Sequence, residues 1–137
     1  MNPEASRRLG HALQAITAIE RYTVKDCLHN CLADDLTRSA VQRQLGIVQE
    51  ALRVALVEEP SLQQIWPDGD ALLAGCARMR DWEQGVALAD LLGFVAEDLK
   101  LWQGRLAEGL RLQQQEEVAK LDAAIARNLA WLGFGAE

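Results

Sequence analysis

Apolar residues recur at steps of three and four along nearly the whole chain, the spacing of one face of an α-helix. Leu9, Leu13, Ile16 and Ile19 form the first run. Asn2-Pro3-Glu4 stands before it. Asn can cap a helix, Pro fits its first turn, and Glu complements the positive end of its dipole. The pattern predicts a helix over about 3–22. Thr23 or Asp26 then offers a cap for a short second helix carrying Cys27, Leu28 and Cys31. Asp34-Asp35 opens a third helix, with the stripe Leu36, Ala40, Val41, Leu45, Val48, Leu52 and Leu56. Ile47, Ala51 and Ala55 widen that stripe, so it is expected to be buried on more than one side. Pro60 ends it.

Residues 60–70, with Trp66-Pro67-Asp68-Gly69-Asp70, read as a loop. A fourth helix is predicted over about 70–83, with a bend at Gly85. A fifth starts near Ala87 or Asp90, can run very long, and carries Val95, Leu99, Trp102, Leu106 and Leu110. The same phase is expected to continue through Val118, Leu121, Ile125, Leu129 and Leu132. Polar residues 113–117 interrupt the stripe, and Gly104 and Gly109 each weaken a helix by ~1 kcal/mol. The chain therefore divides into a bundle over 1–110 and an amphipathic C-terminal extension over 111–137. Trp131 and Phe134 favour docking of that extension on its own bundle, on a second copy or on a partner. Strand signals are weak, and the expected class is all-α.

Composition sharpens this picture in three ways. The chain has 137 residues, half of them hydrophobic and a quarter charged, so it can bury a core. It has 20 Asp and Glu against 14 Lys and Arg, a formal net charge of −6, which disfavours avid nonspecific nucleic-acid binding. Three cysteines, no apolar block after Arg7-Arg8 and no membrane-length apolar run suggest reduced thiols in the cytoplasm, with no membrane partner.

Candidate chemistry is sparse. Cys27 and Cys31 share a helix face, but His29 points elsewhere, so packing is favoured over a metal site. His11 lies off the main stripe without an evident catalytic partner. Asp34-Asp35, Glu58-Glu59 and Glu116-Glu117 read as caps or solvated faces. No phosphate loop, nucleophile elbow or zinc-protease run is present, and no cofactor is expected. The most informative stretch is Arg78-Met79-Arg80-Asp81-Trp82-Glu83 at the end of the fourth helix.

Two longer stretches carry a resemblance. Ile16, Ile19, Tyr22 and Thr23 fit the pattern I-x-x-I-x-x-Y-T. Asp34, Thr37, Ala40, Val41, Arg43, Leu45, Ile47, Glu50 and Ala51 fit D-x-x-T-x-x-A-V-x-R-x-L-x-I-I-G-E-A. Over about residues 8–110 the chain resembles the HepT-like branch of the HEPN superfamily. The resemblance implies an up-and-down bundle of roughly four to six helices that forms a homodimer. Active members are RNase toxins paired with a nucleotidyltransferase-type antitoxin. Their motif, G-M-R-N-x-L-x-H-x-Y, brings Arg and His of both protomers to the dimer cleft, where they act on RNA. Arg80 matches the motif Arg, and Asp81 stands at the usual Asn. Gly85 falls at the His position and Ala87 at the Tyr position, and no His follows His29. The family's Pro-Trp element is displaced as Ile65-Trp66-Pro67. The expectation is a degenerate relative that acts through dimerisation and partner binding, with weak RNA contact at most. The alternative is an active RNase using Arg80, Asp81 and Glu83, in which a carboxylate moves the proton.

Overall fold

The computed structural model describes residues 1–23, 28–81 and 88–133, leaving aside the side chain of His29. The described residues form helices α1 (Pro3–Tyr22), α2 (Leu28–Ala33), α3 (Asp35–Glu58), α4 (Leu62–Ile65), α5 (Gly69–Arg80), α6 (Leu88–Gly93) and α7 (Leu99–Trp131). A π-helical turn, Phe94–Asp98, joins α6 to α7. The class is all-α, with no strand among the described residues, and no described helix is long and apolar enough to cross a membrane.

The two longest caps act as the sequence leads one to expect. Asn2 Oδ1 accepts from the Glu4 backbone N–H at 2.8 Å. Asp34 Oδ2 accepts from the backbone N–H and the hydroxyl of Thr37, both at 2.9 Å. These contacts satisfy N–H groups that a helix start leaves without partners. Thr23 serves a different end from the one expected. It closes α1, its hydroxyl donating to the Ile19 carbonyl at 2.9 Å. Asp26 lies outside the described residues. Within the expected loop, residues 62–65 form the short helix α4, and Trp66 after it is buried.

The core is built on α1 against α3. Ala5, Ala12, Ala15 and Ala18 on α1 and Ala51 and Ala55 on α3 are buried, and such small residues let the helices approach closely. Leu9, Ile19, Leu45 and Leu52 fill the space between them. The two helices run antiparallel, since the Asn2 backbone N–H at the start of α1 donates to Glu59 Oε2 just after α3, at 3.0 Å. α5 packs on another side of α3, and α7 packs on α1. The π turn has a packing reason. Phe94 and Leu99 are five apart and both buried; in a regular α-helix that step would turn them about 140° apart. One wider turn brings both onto the core.

The stripe expected on α3 is only partly inside. Leu36 is 83% exposed and Ile47 40% exposed. With Val57 they mark a side of α3 that no described helix covers.

α7 corrects two further expectations. It runs from Leu99 to Trp131 without a break, so the polar stretch 113–117 does not separate two helices. Nor does its apolar stripe keep phase. About 18 residues complete five turns, so Trp102, Leu106 and Leu110 line up with Lys120, Ala124 and Asn128. The outer stripe, Val118 to Leu132, is turned about 100° away from the side that meets the bundle. Beyond Leu110 the helix leaves the bundle, and the outer stripe is exposed. The described residues of this stretch do not dock on their own bundle, and Phe134 lies outside the described residues. Glu116 and Lys120, four apart on this helix, form an ion pair at 3.3 Å.

Several carboxylates are held ionised by the helix ends and ion pairs around them. Hydrogen bonds from Arg7 and Arg8 bring Glu4 from 4.5 down to about 2. Thr37 lowers Asp34, Ser61 and then Asn2 lower Glu59, and Arg105 lowers Asp68. Depressed carboxylates stabilise the fold above their unfolded pKa, and that contribution is lost as pH falls through the folded value. Urea-unfolding midpoints should therefore be level above about pH 5 and decline between about pH 4.5 and 2. Glu4→Gln should remove part of that decline. A midpoint that rises on acidification would contradict the assignment.

Candidate functional site

α5 positions the arginines singled out in the sequence. At its start, a Cβ on Gly69 would lie 3.7 Å from Leu56 Cδ1. At its end, a Cβ on Gly46 would lie 3.5 Å from Arg80 Nη1 and 3.6 Å from its Cδ. α5 therefore runs antiparallel along α3, from Leu56 to Gly46. Arg80 reaches across to the middle of the longer helix and lies over the glycine there. Buried Met79 anchors this turn, and its carbonyl accepts from Gln42 Nε2 at 3.3 Å.

Arg80 is exposed and forms no ion pair with another described residue. Asp81 is half-buried and ends α5, its backbone N–H donating to the Arg78 carbonyl at 3.4 Å. Arg78 diverges from Arg80. It lines a groove between α5 and α7 with Phe94, Asp98 and Trp102. Arg80 and Asp81 thus meet at one helix end. Glu83 lies outside the described residues, as do Trp82 and Gly85, the position matched to the motif His.

Two residues at this place carry weaker signals in the sequence. Gly46 sits inside a long helix, where glycine costs ~1 kcal/mol relative to alanine, and that cost is itself a sign of close approach. Arg43 is exposed one turn before Gly46, on the neighbouring side of α3. Gln49, one turn after it, has a buried Oε1 with no hydrogen-bond partner. Guanidinium groups stay protonated and can hold a phosphate, but they cannot shuttle a proton near neutral pH. Arg43 and Arg80 therefore cannot by themselves serve as an acid–base pair.

The other candidates lie apart from this one. His11 is half-buried on α1 and makes no hydrogen bond with another described residue. Cys31 is half-buried, while Cys27 and the His29 side chain fall outside the described residues. Among the described residues no three His, Cys, Asp or Glu side chains are grouped as metal ligands would be. Cys76 is buried inside α5, and burial pushes its thiol up to about 12, so it is a packing residue rather than a nucleophile. A groove of about 430 Å³ between α1, α2 and α7 is floored by Ile16, Ile19, Leu28 and Leu99. No α5 residue lines it, so it is not part of the arginine surface. Comparison of the chain with protein-family models, curated proteins and solved structures finds no match.

Proposed function

We propose that the chain is a HepT-like member of the HEPN superfamily that has lost RNase chemistry and acts by dimerising and binding a nucleotidyltransferase-type antitoxin. The observation that supports this reading is the seat of Arg80 over Gly46, midway along α3 and at the edge of its uncovered side. Leu36, Arg43, Ile47, Glu50, Val54 and Val57 recur there at steps of seven, four and three, on one helix face. Two copies of α3 laid antiparallel about a two-fold axis at Gly46–Ile47 match each other. Leu36 meets Val57 of the second copy, and Arg43 meets Glu50 of the second copy. That axis would bring the two Arg80 side chains near one cleft, as the family resemblance implies. What the cleft lacks is the family's histidine, because no histidine follows His29. General acid–base catalysis supplies ~10²–10⁴ in rate, and this share would be missing.

The test is an RNA-cleavage assay of the purified chain beside Arg80→Ala. The expected result is no cleavage by the parent beyond that of the variant. Robust cleavage abolished by Arg80→Ala overturns loss of chemistry, and turns attention to a carboxylate such as Asp81 or Glu83.

A further inference from the structure

We infer that the outer half of α7 is a self-association device: residues 118–132 of two copies pair antiparallel about a two-fold axis at Ile125. This inference rests on a different surface from the α3 face and stands without it.

The first ground is the direction in which the apolar stripe faces. Val118, Leu121, Ile125, Leu129 and Leu132 are all exposed, with Leu121 at 61%. Their stripe is turned about 100° from the side of α7 that meets the bundle, so the bundle cannot cover it without breaking the helix. A lone helix of this length is marginal in water and is normally stabilised by covering its apolar face.

The second ground is self-complementarity. The steps between the five residues are three, four, four and three, which read the same in both directions. Reversing one copy about Ile125 sets Val118 opposite Leu132 of the second copy and Leu121 opposite Leu129. Ile125 then meets its own equivalent, as a residue on a two-fold axis must. The apolar surface exposed by the five residues in two copies is roughly 1,000 Å², the lower limit for a specific interface.

The third ground is charge, which selects the antiparallel arrangement. Glu117 and Asp122 flank the stripe on opposite edges. In a parallel pair, one edge of each helix adjoins the other edge of its mate, so Glu117 would face Asp122 of the second copy, twice over. In the antiparallel pair like edges adjoin. Glu117 then lies beside Trp131 of the second copy and Asp122 beside Leu129, with no close like-charged contact. The bundles stand at opposite ends and do not compete for space. The same acidic edges argue against an anionic membrane as the occupant, since interfacial helices carry Lys and Arg there.

The experiment uses the full chain. Particle mass is measured by light scattering for the parent, for Leu121→Glu/Ile125→Glu and for Ile47→Glu. The first pair of positions is exposed and Glu is a good helix former, so the fold should survive, as circular dichroism will verify. The expected result is at least a twofold drop in mass for the α7 double variant. An unchanged mass overturns the inference, as does a monomeric parent whose α7 binds vesicles or another protein instead. Ile47→Glu reads the α3 face separately: an unchanged mass there, with a drop for the α7 variant, sinks the α3 dimer and leaves this pairing standing. Orientation is read by mild oxidation over the background of the native thiols. Mixed Val118→Cys and Leu132→Cys chains should cross-link faster than Val118→Cys alone, and the reverse order overturns antiparallel pairing.

Discussion

Trp102→Ala is expected to cost about 3–5 kcal/mol, the range for truncating a buried tryptophan. Trp102 is buried on α7 and meets the Trp66 ring edge to face, with centroids 5.7 Å apart and planes at 74°. The Arg105 guanidinium lies 4.9 Å from the Trp102 ring centroid and holds Asp68 at 2.6 Å. One side chain therefore ties α7 to the segment between α4 and α5. Removing it leaves a large void, strips Trp66 of its partner and frees Arg105. Trp102→Phe should recover a good part of the loss, because the ring contact is kept. Urea unfolding followed by circular dichroism measures both. A cost below about 1 kcal/mol for the alanine variant would mean that Trp66 and α7 are held by other contacts.

The second large effect falls on the glycine inside α5. A Cβ at Gly75 would come within 2.7 Å of Phe94 Cε2 and 3.3 Å of its Cζ. Phe94 is buried at the start of the π turn and its ring is rigid, so it cannot fold aside as a long polar side chain would. Gly75→Ala gains ~1 kcal/mol of helix propensity and meets an overpacking cost of typically 1–3 kcal/mol. A net loss of up to about 2 kcal/mol is expected. Gly104→Ala is the control. Nothing lies within 4 Å of a Cβ there, so the propensity gain stands alone and the variant should be more stable by up to ~1 kcal/mol. Adding Phe94→Leu to Gly75→Ala should return part of the loss. If Gly75→Ala stabilises as much as Gly104→Ala does, α5 and the π turn are not in contact as described.

These two sites also mark what the sequence could and could not convey. The bounds of α1 and α3 were legible, because Asn2, Asp34 and Pro60 act on their immediate neighbours through local hydrogen bonds and local sterics. The all-α class followed from periodicity for the same reason. Leu36 and Ile47 belong to the apolar stripe yet lie outside, since periodicity identifies an apolar side without saying whether anything is there to cover it. In α7, steps of three and four look in phase when taken one at a time. Each step errs by a fraction of a turn, and over Leu106 to Val118 the error amounts to a different face. Trp66 and Trp102 meet across 36 positions of chain, as no local pattern can announce. The candidate site divided in the same way. Arg80 was legible as a residue, whereas its seat on Gly46 depends on how two helices cross. Glu83 falls outside the described residues.

The unbroken course of α7 has a consequence for measurement. Residues 111–131 span about 30 Å of continuous helix beyond the bundle. A rigid shaft converts sequence number into distance, at about 1.5 Å per residue. Dyes or spin labels placed along it at Gln114, Ala123 or Asn128 would act as graduations on a ruler whose zero is the bundle core. The same leverage works in reverse. A small tilt where the shaft leaves the bundle, near Gly109 and its contact with Trp66, would sweep the far end through a much larger arc. Changes too slight to see at that junction would be magnified at Trp131.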